Sequence, residues 1–110
     1  MRIWLIGAGQ VGTVALRQLQ KNDEIDVVVS ADNDQPQAVK EGVIPRVDHV
    51  ETVTSVNMNI LARRVQPDLI LLDPGALNVL SRVPGGAAFN QSMLEEMVAT
   101  SDFPCLVLGS

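Results

Sequence analysis

The sequence has 110 residues, of which 46% are hydrophobic, and this suits one compact domain while excluding a second. A net charge of −5 and an aromatic content of 3% argue against a nucleic-acid or anionic-membrane surface. A single cysteine, Cys105, excludes an internal disulfide and a cysteine-based metal cluster. No apolar stretch approaches the roughly 20 residues that cross a bilayer. Since Met1 leads straight into apolar sequence, we expect no signal peptide, no membrane insertion and a cytoplasmic location.

The first predicted elements are a strand and a helix. Ile3–Ile6 is a continuous apolar run rather than an alternating one, which predicts a strand buried on both faces. Apolar residues at helical spacing from Gln10 to Lys21 predict a helix that covers one side of a sheet.

Three glycines lie between this strand and this helix, at Gly7, Gly9 and Gly12. At this spacing the first glycine permits a tight turn, the second lets the backbone approach a pyrophosphate, and the third lets the helix pack close to the strand. The helix N-terminus, at Gln10 and Val11, offers unpaired N–H groups and a partial positive charge to phosphates. These five residues are therefore candidate cofactor contacts.

A second apolar run, Ile25–Val29, predicts the next strand and leads to Asp32, about 20 residues beyond Gly12. At that position an acidic residue accepts hydrogen bonds from an adenosine ribose. From Met1 to Asp32, roughly the first third of the chain, the sequence resembles the NAD-binding fingerprint of Rossmann-fold proteins. The resemblance implies dinucleotide binding, with Asp32 and the adjacent Asn33 at the ribose.

The choice of cofactor follows from the charge near Asp32. A 2′-phosphate would need an Arg or Lys beside the end of the second strand, where the chain has Asp32, Asn33 and Asp34. NAD is therefore favoured over NADP. S-adenosylmethionine and FAD are less favoured, the latter because the chain offers little protein to enclose a flavin.

The middle of the chain predicts a short helix and a short strand. The helix starts in the turn Asn33–Pro36 and ends at Gly42. Arg46–Val50 alternates and predicts a third strand. In dinucleotide folds the end of this strand approaches the adenine, so Asp48 is a candidate contact. Alternatively, His49 or Glu51 makes this contact. We favour the third possibility, that all three are polar surface residues without contact to a ligand.

The next helix and strand complete the predicted crevice. Thr54 or Ser55 is predicted to cap a helix, which turns four apolar residues towards the sheet: Val56, Ile60, Leu61 and Val65. Leu69–Leu72 predicts a fourth strand. Ligands of open α/β sheets lie beyond the carboxyl ends of the strands, where the strand order reverses. We therefore expect Asp73, Pro74 and Gly75 to line the cleft, although a plain turn is an equal alternative.

The last part of the chain predicts a loop, a helix and a strand. Ala76–Ala88 is loop-like, with its most flexible part at Pro84–Gly86, and is either a lid, a partner contact or an ordinary crossover. A helix follows from Phe89. Phe103–Leu108 predicts a fifth strand in which Cys105 is a buried small hydrophobe.

The elements alternate as βαβαβαβαβ, which predicts an α/β fold with a doubly wound, Rossmann-like parallel sheet of about five strands in the order 3-2-1-4-5. We expect residues 1–110 to form one dinucleotide-binding domain. A full dinucleotide fold has a sixth strand, so the nicotinamide half of the site is in doubt while the adenosine half is complete.

Three functions remain open. The first is a regulatory or sensing module, since the chain is similar to nucleotide-binding regulatory domains of potassium transport; this implies homo-oligomers and a membrane-transport partner. The second is the N-terminal cofactor domain of an oxidoreductase similar to saccharopine dehydrogenase, although no catalytic constellation is visible. The third is an interaction domain with a vestigial site. The apolar edge of strand five predicts a homodimer.

Overall fold

A computed structural model describes residues 1–75 and 86–109, with the side chains of residues 86–89 excepted. The strands are β1 (Arg2–Ile6), β2 (Asp26–Ala31), β3 (His49–Val50), β4 (Leu69–Leu72) and β5 (Cys105–Val107). The helices are α1 (Gln10–Leu19), α2 (Gln37–Lys40), α3 (Met58–Val65) and α4 (Gly86–Thr100).

The five strands form one parallel sheet in the order β3-β2-β1-β4-β5, which confirms the predicted Rossmann-like α/β fold and strand order. β1 is central, with Trp4 paired to Val28 on β2 and to Ile70 on β4. The chain winds outwards from β1 to β3 and then returns to β4 on the other side of β1. The carboxyl ends of the strands meet at one edge of the sheet, where such a reversal opens a crevice.

The side chains of β1 alternate between two cores, as strand geometry requires. Trp4 and Ile6 pack in a cluster with α3 and α4, which includes Met58, Ala62, Leu94 and Met97. Ile3 and Leu5 pack on the opposite face with Leu16 of α1 and Ala38 of α2. Because both faces of β1 are buried, its sequence is apolar without alternation.

Several predicted boundaries were wrong at strand ends. β3 is two residues long rather than five, because Asp48 pairs with β2 outside regular strand geometry through its N–H to the Val29 carbonyl, at 3.1 Å. β2 runs on to Ala31 and β5 is confined to Cys105–Val107. The buried position expected for Cys105 is confirmed.

The buried face predicted for α3 was wrong at Val56 and Ile60, whereas Val65 is buried and Leu61 is partly buried against the core, as predicted. Val56 is 87% exposed and Ile60 is 65% exposed, whereas Met58, Ala62 and Val65 are buried. The helix begins at Met58, so its inward positions follow the spacing i, i+4, i+7 from that residue. Thr54 and Ser55 do not cap it.

Asn57 occupies the N-cap position of α3, and its side chain is engaged in the preceding turn. Its Oδ1 accepts from the Thr54 N–H at 2.8 Å, and its Nδ2 donates to the Thr52 carbonyl at 2.9 Å. This turn delays the start of the helix relative to the prediction.

The last helix begins at Gly86, three residues before the predicted Phe89, since Gly86 to Ala88 are helical. The remainder of the predicted loop, including Pro84, lies outside the described residues, as does the proposed lid. Among the described helices, none is long and apolar enough to cross a membrane.

Candidate functional site

A cleft of about 630 Å³ lies at the carboxyl ends of β1, β2 and β3, a volume typical of small-molecule sites. The turn after β1, the end of β2, the start of α2 and the segment after β3 line it. Of the predicted site residues, four line this cleft: Gly7, Gly9, Asp32 and Asn33. The others, Gln10, Val11, Gly12, Asp48, Asp73, Pro74 and Gly75, are not among its lining residues.

Gly7 makes the turn that leaves β1. Its φ is +91°, a conformation that residues with a side chain rarely adopt, and its N–H donates to the Ser30 carbonyl at 2.7 Å. The chain then reaches Gly9, the N-cap of α1, in an extended conformation. The turn thus brings main chain to the floor of the cleft.

Gly12 lies where α1 crosses the turn. A Cβ on this residue would lie 2.6 Å from the Gly7 carbonyl oxygen and 2.9 Å from Asp73 Oδ2. Both distances are below normal contact. Gly12 therefore has the packing role expected of the third glycine of the motif.

Asp73 caps α1 from the end of β4. Its Oδ2 accepts hydrogen bonds from the N–H groups of Gly9 at 3.0 Å and Gly12 at 2.7 Å, and its Oδ1 accepts from Gly75 N–H at 3.0 Å. The side chain is fully buried. The expectation that Asp73 lines the cleft is not supported by this position, since its carboxylate lies behind the glycine turn and satisfies two of the helix's free donors.

This cap leaves two donors at the N-terminus of α1. The first four N–H groups of a helix have no partner within the helix. The N–H groups of Gln10 and Val11 donate to no acceptor among the described residues, whereas Thr13 N–H donates to the Gly9 carbonyl at 2.9 Å. Gln10 and Val11 are therefore the donors that α1 can offer to an anion.

Asp32 and Asn33 form the rim of the cleft just beyond β2. Asn33 Nδ2 donates to Asp32 Oδ1 at 2.8 Å, and Asn33 Oδ1 accepts from the Gln35 N–H at 3.0 Å. Both side chains are exposed. These hydrogen bonds hold the Asp32 carboxylate at the mouth of the cleft. Its Oδ2 takes no part in them.

Asp48 lies on another part of the surface. Its Oδ2 accepts from the Val29 N–H at 2.8 Å, and it borders a separate depression lined by α1 and β2 residues. This position does not support the predicted adenine contact. The carboxylate extends the pairing of β2 instead.

A hydrogen-bond network of four polar side chains connects the core to the cleft, and the sequence did not predict it. Trp4 Nε1–H donates to Ser30 Oγ at 2.9 Å, and Ser30 Oγ–H donates to Glu51 Oε1 at 3.0 Å. Arg64 Nη2 donates to the same Glu51 oxygen at 2.6 Å. Ser30 and Glu51 both line the cleft. Ser30 is fully buried and interrupts an apolar strand, which is the one sequence signal that could have indicated this network.

Lys40 also lines the cleft, which corrects the expectation that this region lacks a cation. The single turn of α2 returns the chain to the cleft eight residues after Asp32. The carboxylate of the neighbouring Glu41 accepts hydrogen bonds from Gln37 of α2 at 2.5 Å and from Arg17 of α1 at 2.8 Å. These two donors lower the pKa of Glu41.

Comparison with known proteins does not assign this chain to a family. No family model matches the chain, and no curated protein matches it. Among solved structures, the chain is similar to a mutant meso-dapdh from Clostridium tetani E88 crystallised with DAP, at 16% identity and a TM-score of 0.46. The match covers 98% of this chain and 36% of that chain, so this chain spans about a third of its length. A likeness of this size carries no functional inference.

Proposed function

We propose that this chain binds an adenosine nucleotide, NAD(H) in the first place, and acts as a regulatory or sensing module. The observation that carries the proposal is that the glycine turn and Asp32 line one cleft of about 630 Å³ at the carboxyl edge of a parallel sheet. This edge is where open α/β sheets bind nucleotides. The cytoplasm is the location we expect for such a module.

The ligand's phosphates would lie at the start of α1. The N–H groups of Gln10 and Val11 are the donors for them, since Asp73 already occupies those of Gly9 and Gly12. The ribose would lie between this turn and Asp32, whose carboxylate accepts hydrogen bonds from adjacent hydroxyls. The placement is supported by Gly9, the N-cap residue directly before Gln10, which lines the same cleft as Asp32.

NAD and NADP would be distinguished by two oppositely charged residues. Asp32 favours the free hydroxyls of NAD and repels a 2′-phosphate, whereas Lys40 attracts one. We propose NAD because Asp32 directly follows β2, at the position of the ribose acid, while Lys40 lies beyond a turn of α2.

A binding module is favoured over the cofactor domain of an oxidoreductase by the charges in the cleft. In the described part of the chain, its ionisable lining residues are Asp32, Lys40 and Glu51. All three lie towards the β2 and β3 side, where the adenosine would bind, rather than towards β4, where a nicotinamide would. Hydride transfer would need further groups from elsewhere.

In such a module, a partner protein would respond to whether the nucleotide is bound. Our candidate is a second copy of the chain, meeting at the edge of β5, where Leu106 and Val107 are exposed. A larger membrane-transport assembly is the alternative. Light scattering of the chain at high concentration tests the homodimer, and a monomer would exclude it.

The test of the binding site is a set of single substitutions followed by NAD titration. Asp32→Asn should weaken NAD by roughly tenfold, as expected for one charge-assisted pair of hydrogen bonds, and should narrow the preference over NADP. Lys40→Gln should weaken NADP and leave NAD unchanged. The matched control is Asp34→Asn, which removes the same charge two residues away, outside the cleft lining. Equal effects of Asp32→Asn and Asp34→Asn would refute the site.

A further inference from the structure

We propose that Glu51 is the residue that selects adenine, by accepting a hydrogen bond from its exocyclic amine. The inference rests on the proposed function, because it names the part of the nucleotide that the β3 side of the same cleft recognises. It goes beyond the glycine fingerprint, which concerns phosphate and ribose alone.

Glu51 is fixed before any ligand arrives. Its N–H donates to the Ala31 carbonyl at 2.8 Å, and its Oε1 accepts from Ser30 Oγ–H and from Arg64. The side chain is 18% exposed. A carboxylate held by two hydrogen bonds, on a backbone fixed by a third, loses little conformational freedom on binding, which makes it an effective recognition group.

The second oxygen of Glu51 remains available to a ligand. Oε2 accepts no hydrogen bond from the described residues. It is not fully buried either, since it does not belong to the fully buried side-chain atoms that lack a hydrogen-bond partner in this part of the chain. An ionised carboxylate can only accept hydrogen bonds. The ligand group opposite Oε2 must therefore be a donor, and an amine satisfies this requirement.

The position of Glu51 relative to Asp32 fits the two ends of an adenosine. Ala31 of β2 is paired with Val50 of β3, so the residues that follow them, Asp32 and Glu51, leave adjacent strands side by side. Neighbouring strands lie about 4.8 Å apart. A ligand whose ribose is held at Asp32 therefore extends its base over the end of β3.

The rest of the lining suits a flat aromatic base. Six apolar residues besides the glycines contribute to the walls of the cleft: Ile6, Ala8, Ala31, Pro36, Val53 and Met93. Apolar walls of this kind can pack against the faces of a ring while a polar side chain recognises one of its edges. Glu51 supplies the acceptor at the edge.

The experiment compares adenosine with purine riboside, which carries hydrogen in place of the amine. The parent should bind adenosine roughly tenfold more tightly than purine riboside, the effect of one hydrogen bond to a charged group. In Glu51→Ala this preference should disappear, with purine riboside affinity unchanged. Titration calorimetry gives both affinities. Emission of Trp4, the single tryptophan, gives a second readout because its indole bonds to Ser30 in the cleft.

The matched control is Glu95→Ala on α4, an exposed carboxylate outside the cleft, which should retain the preference. Equal weakening of both ligands by Glu51→Ala would overturn the inference, since it would indicate a structural role. Retention of the full preference would overturn it as well. If the parent binds neither nucleoside nor any nucleotide, the proposed function fails, and this outcome differs from both others.

Discussion

At the scale of single residues, Gly12 gives the sharpest prediction about the fold. Gly12→Ala should destabilise the protein by about 1–3 kcal/mol, because the new Cβ would meet the Gly7 carbonyl oxygen at 2.6 Å and main chain cannot easily move. Gly109→Ala is the control, since a Cβ there has no atom within 4 Å. Denaturant unfolding of the two variants measures the difference. Equal stability of both would show that the helix can shift away from the turn.

The Asp73 carboxylate gives a second prediction at this scale. Asp73→Ala should cost about 2–3 kcal/mol of unfolding free energy, because it leaves the N–H groups of Gly9 and Gly12 without their acceptor. Asp73→Asn should cost less, since its amide oxygen can still accept from both. Chemical denaturation checks the order, with Asp34→Ala as an exposed control. A fully stable Asp73→Ala variant would contradict the capping role.

The sequence could predict those cleft-lining residues that local spacing defines. Gly7, Gly9 and Asp32 were identified because a turn and a strand end fix them within one strand-helix-strand unit. Asp73 and Glu51 act across strands, so their partners depend on the sheet register, which the sequence does not display. The expectation that Asp73 lines the cleft was based on its position after β4 alone, and it therefore missed the role of this residue as a helix cap.

At the scale of elements, the helices and strands were predictable where burial is complete. β4 has the predicted bounds because a run of four consecutive apolar residues is typical of a buried strand. The inward face of α3 was not predictable in the same way. Val56 and Ile60 are apolar but exposed, and the helix register is set by Met58 and by the turn around Asn57.

Cys105 of β5 leads to a prediction about how the stability of the protein depends on pH. Burial raises the pKa of the Cys105 thiol from 9.0 to about 11. The folded state therefore retains the proton over a range in which the unfolded state loses it. The stabilising contribution is complete below about pH 9 and is lost as the pH rises towards 11.

Two measurements check this prediction. Cys105→Ala should remove the part of the alkaline loss of stability that falls between pH 9 and 11. At pH 8 the native thiol should react with a thiol reagent about 100-fold more slowly than the denatured chain, because a pKa difference of two units lowers the thiolate fraction by that factor. Equal reaction rates would show that Cys105 is accessible and unperturbed.

At the scale of the whole molecule, the strand order followed from simple rules. Strands alternating with helices give a parallel sheet, and right-handed crossovers leave few arrangements, of which 3-2-1-4-5 is the one observed. The place of the cleft follows from the same topology. Its chemical content does not, because Lys40, Ser30 and Glu51 reach it from separate elements.

The central claim is that this cleft binds an adenosine nucleotide. Titration calorimetry of the unmodified chain with NAD, NADH, NADP, ADP and S-adenosylmethionine tests it most directly. We expect saturable binding of NAD or NADH at one site per chain, with NADP and S-adenosylmethionine clearly weaker and ADP retaining much of the affinity. Absence of binding by all five ligands would contradict the claim, and would leave Gly7, Gly9 and Gly12 with a packing role alone.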